Sequence, residues 1–187
     1  MKSKIHFFST FFFVLSVLFS CGPSERNGIA QKAEYEALTP EALPVQDGKQ
    51  LPDFLFIPMD SLAFTGKDIP KGKSVWVMNF NPGCAHCQQT ALAISMRKDE
   101  LKNTEFIFVS RVAQDAIKKF ATDHKLWGRE GVHFFQDPKQ LFFNYFGIVQ
   151  VPLVMVYNED HQLLQTFETE LDFEDILSTV HAHKKQF

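Results

Sequence analysis

Two cysteines separated by two residues, Cys84 and Cys87, constrain the fold of this chain more than any other feature of its sequence. They follow a short apolar run, Val75 to Phe80, which is typical of a central strand that is covered on both faces. Asn81-Pro82-Gly83 ends that run, and the sequence from Cys84 to about Leu101 predicts a helix. The cysteine pair therefore lies where a buried strand gives way to the first turn of a helix.

This position suits thiol–disulfide exchange, which requires a thiolate nucleophile and a second thiol that releases the mixed disulfide. Residues at i and i+3 of a helix lie on one face, and the unpaired N–H groups of a helix N-terminus stabilise a thiolate. We expect Cys84, at the helix end, to be exposed and to attack. We expect Cys87, one turn later, to be shielded and to act as the resolving thiol. His86 adds positive charge beside them when it is protonated, unless it is only a solvated residue of an exposed loop.

Metal binding is the other common use of such a cysteine pair. A tetrathiolate zinc site needs four thiols, and this chain has three cysteines. A Cys2His2 site would need two of the scattered histidines, and His181 and His183 point to different sides of a helix. We therefore expect no zinc and no cofactor. A copper-binding or redox-sensing module without turnover, using Cys84, Cys87 and His86, stays open because soft thiolates suit Cu(I).

The first 20 residues are typical of a lipoprotein signal peptide. Lys2 and Lys4 give a positive start, and Ile5 to Phe19 is an apolar run that is too short for a stable membrane span. The run ends in Leu18-Phe19-Ser20-Cys21, which resembles a lipobox, and this predicts Cys21 as the lipidated mature N-terminus. A plain signal peptide or an uncleaved anchor would also export the domain from the cytosol. We expect a lipid-anchored protein of the cell envelope, periplasmic if the cell is Gram-negative.

Residues 21–50 are polar and carry few large apolar groups, which favours a flexible tether after the lipidated N-terminus. The folded domain is expected to span residues 51–187. Its composition, with 45% hydrophobic residues in the whole chain, is sufficient for an ordinary packed core. The net charge of −3 and the lack of a basic stripe give no indication of nucleic-acid binding.

The pattern beyond the cysteines predicts alternating strands and helices. Asp53 to Met59 and Leu62 to Thr65 could form a short antiparallel pair. The aromatic residues Trp76, Phe134, Phe135, Phe142, Phe143 and Phe146 are expected in the core. The further predicted elements are strands at 105–110, 132–136, 153–157 and 163–167, and helices near 114–124, 141–146 and 172–185. This order predicts an α/β fold with three layers and a central mixed sheet.

Gln150-Val151-Pro152-Leu153 stands directly before a predicted buried strand. Proline is allowed at the first residue of a strand on steric grounds alone. In the functional interpretation, a cis Val151–Pro152 bond exposes the Val151 backbone beside the cysteines.

The Cys-x-x-Cys pair at a helix start, together with Val151-Pro152 before a hairpin and a final helix, resembles the thioredoxin superfamily. The lipobox and the Leu51-Pro52-Asp53-Phe54 opening resemble its exported, membrane-anchored TlpA-type branch. The resemblance implies that Cys84 is the nucleophile, Cys87 the resolving thiol and Pro152 a cis-proline that tunes the site. It also implies an exported thiol–disulfide oxidoreductase. Its partners would be thiol- or disulfide-bearing envelope proteins and a membrane electron donor.

Two departures from the superfamily pattern lie at the site. Gly83 stands where a tryptophan is usual before the first cysteine. No carboxylate stands at Met78 or Asn79, near the position where thioredoxins keep a buried acid. The direction of net electron flow stays open.

Overall fold

The computed structural model describes residues 30, 32–59, 64–169 and 171–184. The predicted signal peptide and the predicted lipidation site, Cys21, lie outside the described residues. Among the described residues, no helix is long and apolar enough to cross a lipid bilayer.

The core of the fold is a mixed six-stranded sheet in the order β1-β4-β3-β2-β5-β6. β2, β3 and β4 run parallel, β5 is antiparallel to β2, and β6 is antiparallel to β5. β1 lies antiparallel to β4 at the other edge. The strands are β1 (Ile57–Pro58), β2 (Ser74–Asn79), β3 (Thr104–Ser110), β4 (Val132–Gln136), β5 (Leu153–Tyr157) and β6 (Leu163–Glu168).

Apolar side chains project from both faces of the central strands, and this explains why the sequences of these strands are continuous apolar runs. In β2, Trp76 and Met78 join one apolar cluster, and Val75 and Val77 join the other. The first cluster is covered by three helices, α1 (Ala85–Arg97), α2 (Gln114–Asp123) and α4 (Phe173–Lys184). The second is covered by the short helix α3 (Phe142–Phe146) and by the chain before β1. The expected three-layer α/β architecture is confirmed.

Most element bounds fall within one residue of the sequence prediction. One exception is the stretch from Cys84 to Leu101, where α1 ends at Arg97 and a 3-10 helix covers Lys98–Leu101. Asp172 caps the start of α4, because its carboxylate accepts the backbone N–H of Glu174 at 2.8 Å. The predicted core position of Phe143 was wrong, since this side chain is 43% exposed on the outer side of α3.

The first predicted strand pair differs from the structure. Leu55 and Thr65 form an isolated antiparallel bridge, as the hairpin would require. The strand β1, however, pairs with β4, and Ile57 lies opposite Gln136. The sheet therefore gains an antiparallel edge strand.

Residues 35–50 pack on the domain instead of forming the expected flexible tether. Tyr35 is buried, and the Lys139 ammonium lies 4.9 Å from the centre of its ring. The tyrosine hydroxyl of Tyr157 donates to the carbonyl oxygen of Gly48 at 2.9 Å. Lys139 Nζ also donates to the carbonyl oxygens of Tyr35, Glu36 and Leu38 at 2.7, 2.8 and 2.8 Å. Ordering this segment lets one lysine satisfy three carbonyl groups at the end of a helical turn.

Candidate active site

The turn between β2 and α1 is held by a compact set of hydrogen bonds. The backbone N–H of Cys84 donates to the carbonyl oxygen of Asn81 at 2.9 Å, and the Asn81 side-chain oxygen accepts the N–H of Gly83 at 2.9 Å. The Gln88 side chain, one turn into α1, donates to the carbonyl oxygen of Pro82 at 2.7 Å. These bonds fix the path of the chain into Cys84, which is the N-cap residue of α1.

The two thiols differ in exposure. Cys84 is half-buried, whereas Cys87 is fully buried, and both are free thiols. The backbone N–H of Cys87 donates to Cys84 Sγ at 3.3 Å, so an amide of the first helical turn points at the outer sulfur. Burial raises the pKa of the Cys87 thiol, and a hydrogen bond to the Cys84 side chain adds to this effect. Burial thus keeps Cys87 a neutral thiol, while Cys84 is the more accessible sulfur of the pair.

His86 lies on the exposed side of the first turn of α1. Its backbone carbonyl oxygen accepts the Thr90 hydroxyl at 3.0 Å. The described residues offer its imidazole no hydrogen-bond partner, and both interpretations of this residue stay open.

The segment before β5 lies beside the end of β2. The Val151–Pro152 peptide bond is cis, as the resemblance predicts. Leu153 pairs with Asn79, and the Asn79 side-chain amide donates to the carbonyl oxygen of Gln150 at 2.9 Å. Pro152 is buried and Val151 is 40% exposed. Within the described part of the chain, the backbone N–H and carbonyl groups of Val151 have no hydrogen-bond partner.

Sequence reasoning missed the pocket that lies next to the turn between β2 and α1. Asn79, which stands near the thioredoxin acid position, connects β2 to the cis-proline segment through its amide. Arg111 follows β3 directly, and the carboxyl ends of parallel strands meet at one edge of a sheet, so its position was a usable signal. These residues help to line a pocket of about 340 Å³, formed by Asn79, Phe80, Asn81, Ser110, Arg111, Val112, Pro138, Gln140 and Val151. We call it the Arg111 pocket.

Among the described residues, no group of three or more His, Cys, Asp or Glu side chains comes together in a way that could hold a metal ion.

Comparison with known proteins identifies the family. The model of the AhpC/TSA family matches residues 48–169, which is more than half of the chain. The chain belongs to the AhpC/TSA family. A search of curated proteins finds no significant match.

Solved structures of the AhpC/TSA and thioredoxin-like type share this fold. A secreted disulfide oxidoreductase of Mycobacterium tuberculosis is 17% identical, with a TM-score of 0.58 over 70% of this chain and 96% of that one. The thioredoxin domain of a thiol-disulfide oxidoreductase from Bacteroides vulgatus is 20% identical, with a TM-score of 0.57 over 74% and 98%. AhpC of Mycobacterium tuberculosis is 15% identical, with a TM-score of 0.58 over 76% and 95%. The thioredoxin-like fold is thereby confirmed, and family membership supports a redox enzyme in general.

Proposed function

We propose that this AhpC/TSA family member is an exported, membrane-anchored thiol–disulfide oxidoreductase of the TlpA type, which uses Cys84 and Cys87. The observation that carries the proposal is the unequal exposure of two thiols in the first turn of one helix. The outer thiol, Cys84, is accessible to a substrate, and its sulfur accepts a hydrogen bond from the backbone N–H of Cys87 at 3.3 Å. The inner thiol, Cys87, is buried from solvent.

The proposed reaction transfers two electrons from the cysteine pair to a substrate disulfide. The Cys84 thiolate attacks one sulfur, the substrate S–S bond breaks, and the leaving thiolate takes up a proton. Cys87 then loses its proton and attacks Cys84 Sγ. The Cys84–Cys87 disulfide forms, and the second substrate thiolate leaves and is protonated. The reverse sequence oxidises a substrate dithiol.

The raised pKa of Cys87 suits this order of events. A buried neutral thiol does not compete with Cys84 for the first attack. Once Cys84 is in a mixed disulfide, its negative charge is gone. Deprotonation of Cys87 is then opposed by burial without the added repulsion of a neighbouring thiolate.

The cis-proline segment supplies the proposed contact with the substrate backbone. The N–H and carbonyl groups of Val151, which have no partner among the described residues, can bind an extended segment of a partner protein by main-chain hydrogen bonding. Pro152 is buried and is followed by Leu153, which pairs with Asn79 at the end of β2. This pairing supports a position of Val151 near the turn that carries Cys84.

Trapping of mixed disulfides tests the roles of the two cysteines. Cys87→Ser should accumulate mixed disulfides through Cys84, because the resolving thiol is gone, whereas Cys84→Ser should accumulate few. The matched pair of variants is compared by non-reducing gel and mass spectrometry after incubation with disulfide-bearing envelope proteins. Equal trapping by both variants would contradict the assignment.

Export and anchoring are proposed on the sequence of residues 1–21 alone. Cys21 would carry the lipid and place the domain outside the cytoplasm, where disulfides in partner proteins persist. Intact-mass analysis of the native protein should find a lipidated Cys21 at the N-terminus, and Cys21→Ala should abolish the lipid. An unlipidated chain that begins at residue 22 or later would contradict this.

A copper-binding module is the second candidate that the thiol ligands allow. Titration of the reduced protein with Cu(I), together with its reduction potential, separates the two. Tight Cu(I) binding without mixed-disulfide formation would favour the copper module.

A further inference from the structure

The Arg111 pocket lies against the turn that carries Cys84. Asn81 lines the pocket, and its carbonyl oxygen holds the Cys84 amide at 2.9 Å. Val151, the proposed backbone contact for the substrate, lines it as well. A substituent on the substrate sulfur that reacts with Cys84 would therefore lie close to this pocket.

Of the described residues that line the pocket, only Arg111 carries a charge. Arg111 Nη1 donates to the side-chain oxygen of Gln140 at 2.9 Å, which holds the guanidinium at the pocket wall. Among the described residues, no carboxylate lies within ion-pairing distance of it. An arginine presents five N–H donors, and one bond to Gln140 leaves the others available.

One acid, Asp137, lies close enough to interact electrostatically with Arg111. Asp137 is 1% exposed, and its two carboxylate oxygens accept the backbone N–H groups of Leu141 and Phe142 at 2.9 Å each. Both carboxylate oxygens are thus engaged at the start of α3, and burial raises the pKa of the Asp137 carboxyl group. It supports the position of Arg111 by attraction without occupying its outward donors.

Amide groups complete a donor set. The Asn81 side-chain oxygen is occupied by Gly83 and the Gln140 side-chain oxygen by Arg111, which turns the NH₂ end of each amide toward other partners. The described residues offer neither NH₂ group a hydrogen-bond acceptor. One guanidinium and two amide donors around about 340 Å³ match a group that only accepts hydrogen bonds and carries negative charge.

We propose that the Arg111 pocket binds a carboxylate of the thiol or disulfide partner, so that Cys84 reacts faster with disulfides that carry an acidic group next to the sulfur. This inference rests on the proposed function and names a substrate class for it. Arg111 is a specificity-determining residue in this account. The occupant is an acidic side chain or a terminal carboxylate of a partner polypeptide or small thiol.

The test uses three small disulfides of matched length and different charge. They are dithiodipropionate, which is anionic, hydroxyethyl disulfide, which is neutral, and cystamine, which is cationic. The full-length Cys87→Ser protein forms a mixed disulfide with each through Cys84 and releases one equivalent of thiol, so a single-turnover rate is measured for each. The readout is the ratio of the anionic to the neutral rate, in which any change in Cys84 thiolate content cancels.

Arg111→Gln should lower this ratio about fivefold, the upper end of the effect expected for an exposed arginine–carboxylate pair. Arg111→Lys should retain part of the preference, and the ratio of cationic to neutral rates should rise in Arg111→Gln. Lys102→Gln removes the same charge near the opposite end of β3 and should leave the ratio unchanged. Added salt should reduce the preference of the unmodified pocket.

Two outcomes would overturn the inference: an unchanged ratio in Arg111→Gln, or an equal fall in Lys102→Gln, which would indicate only a general charge effect. If none of the three disulfides reacts with the Cys87→Ser protein, the proposed function itself fails.

Discussion

Glu105 is the acidic residue whose removal should cost this fold most. It is 4% exposed and lies in β3, at the end of the sheet opposite the cysteines. His133 Nε2 lies 2.8 Å from one of its carboxylate oxygens, and Lys73 pairs with the other. Phe64 stacks on the imidazole with ring centres 4.2 Å apart, which keeps His133 in place.

The magnitude follows from the pKa of this carboxyl group. The hydrogen bond from His133, with that from Lys73, overcomes the effect of burial and lowers the pKa of Glu105 from 4.5 to about 2. A pKa difference of this size corresponds to about 3 kcal/mol of stabilisation by the ionised form. Because the folded-state pKa is the lower one, the stabilisation is present above pH 4.5 and is lost as the pH falls from about 4.5 to about 2.

The variant Glu105→Gln removes the charge and keeps the size. Urea unfolding, followed by tryptophan fluorescence, should give a free energy of unfolding about 3 kcal/mol lower at pH 7. The difference from the wild-type protein should shrink as the pH falls toward 2. Glu100→Gln, the same change in an exposed pair with Arg97, is the matched control and should have little effect. A loss that is small at pH 7, or that does not change with pH, would refute the reasoning.

Three further predictions concern the N-terminal segment and the first turn of α1. Lys139→Met should lower the free energy of unfolding by about 1–3 kcal/mol, because three carbonyl groups lose their hydrogen-bond donor. It should also speed hydrogen exchange in residues 32–38, and unchanged exchange there would contradict the prediction. Tyr157→Phe should cost about 1–2 kcal/mol in urea unfolding, because the buried carbonyl of Gly48 loses its donor; a neutral effect would count against that bond. His86→Ala should lower the reduction potential by roughly 30 mV, because positive charge beside Cys84 stabilises the thiolate of the reduced pair; an unchanged potential would make His86 a bystander.

The strands of the sheet could be predicted because their signal is local. Val75 to Phe80 is apolar on both faces, since α1 covers one side and the chain before β1 the other. The start of α1 was equally readable, because a turn sequence and two cysteines at helical spacing come together there.

The packing of residues 35–50 could not be read from the sequence, because it depends on partners about one hundred residues away. Lys139 reads as a surface lysine until the fold brings the carbonyl groups of Tyr35 and Leu38 to it. Gly147 shows the same dependence. A positive φ, here 74°, is common for a glycine at a helix end, but the close approach of the Gln46 carbonyl oxygen, 2.7 Å from where a Cβ would lie, depends on the packing of the distant segment.

The candidate site was predictable in its chemistry and not in its surroundings. The cysteine pair and the cis-proline segment are short motifs, and the cis Val151–Pro152 bond could be predicted from their order along the chain. The Arg111 pocket joins residues from the ends of β2 and β3, from the loop before α3 and from the segment before β5. Only the folded structure shows that these residues line one pocket.

The central claim is that Cys84 and Cys87 act as one two-electron pair, and the stoichiometry of a single reaction tests it most directly. The reduced protein is mixed with one equivalent of hydroxyethyl disulfide, and the protein thiols, released mercaptoethanol and intact mass are measured. The account predicts that both thiols disappear together, that two equivalents of mercaptoethanol are released and that the protein gains no adduct. A stable mercaptoethanol adduct with one thiol remaining, or no reaction, would contradict it.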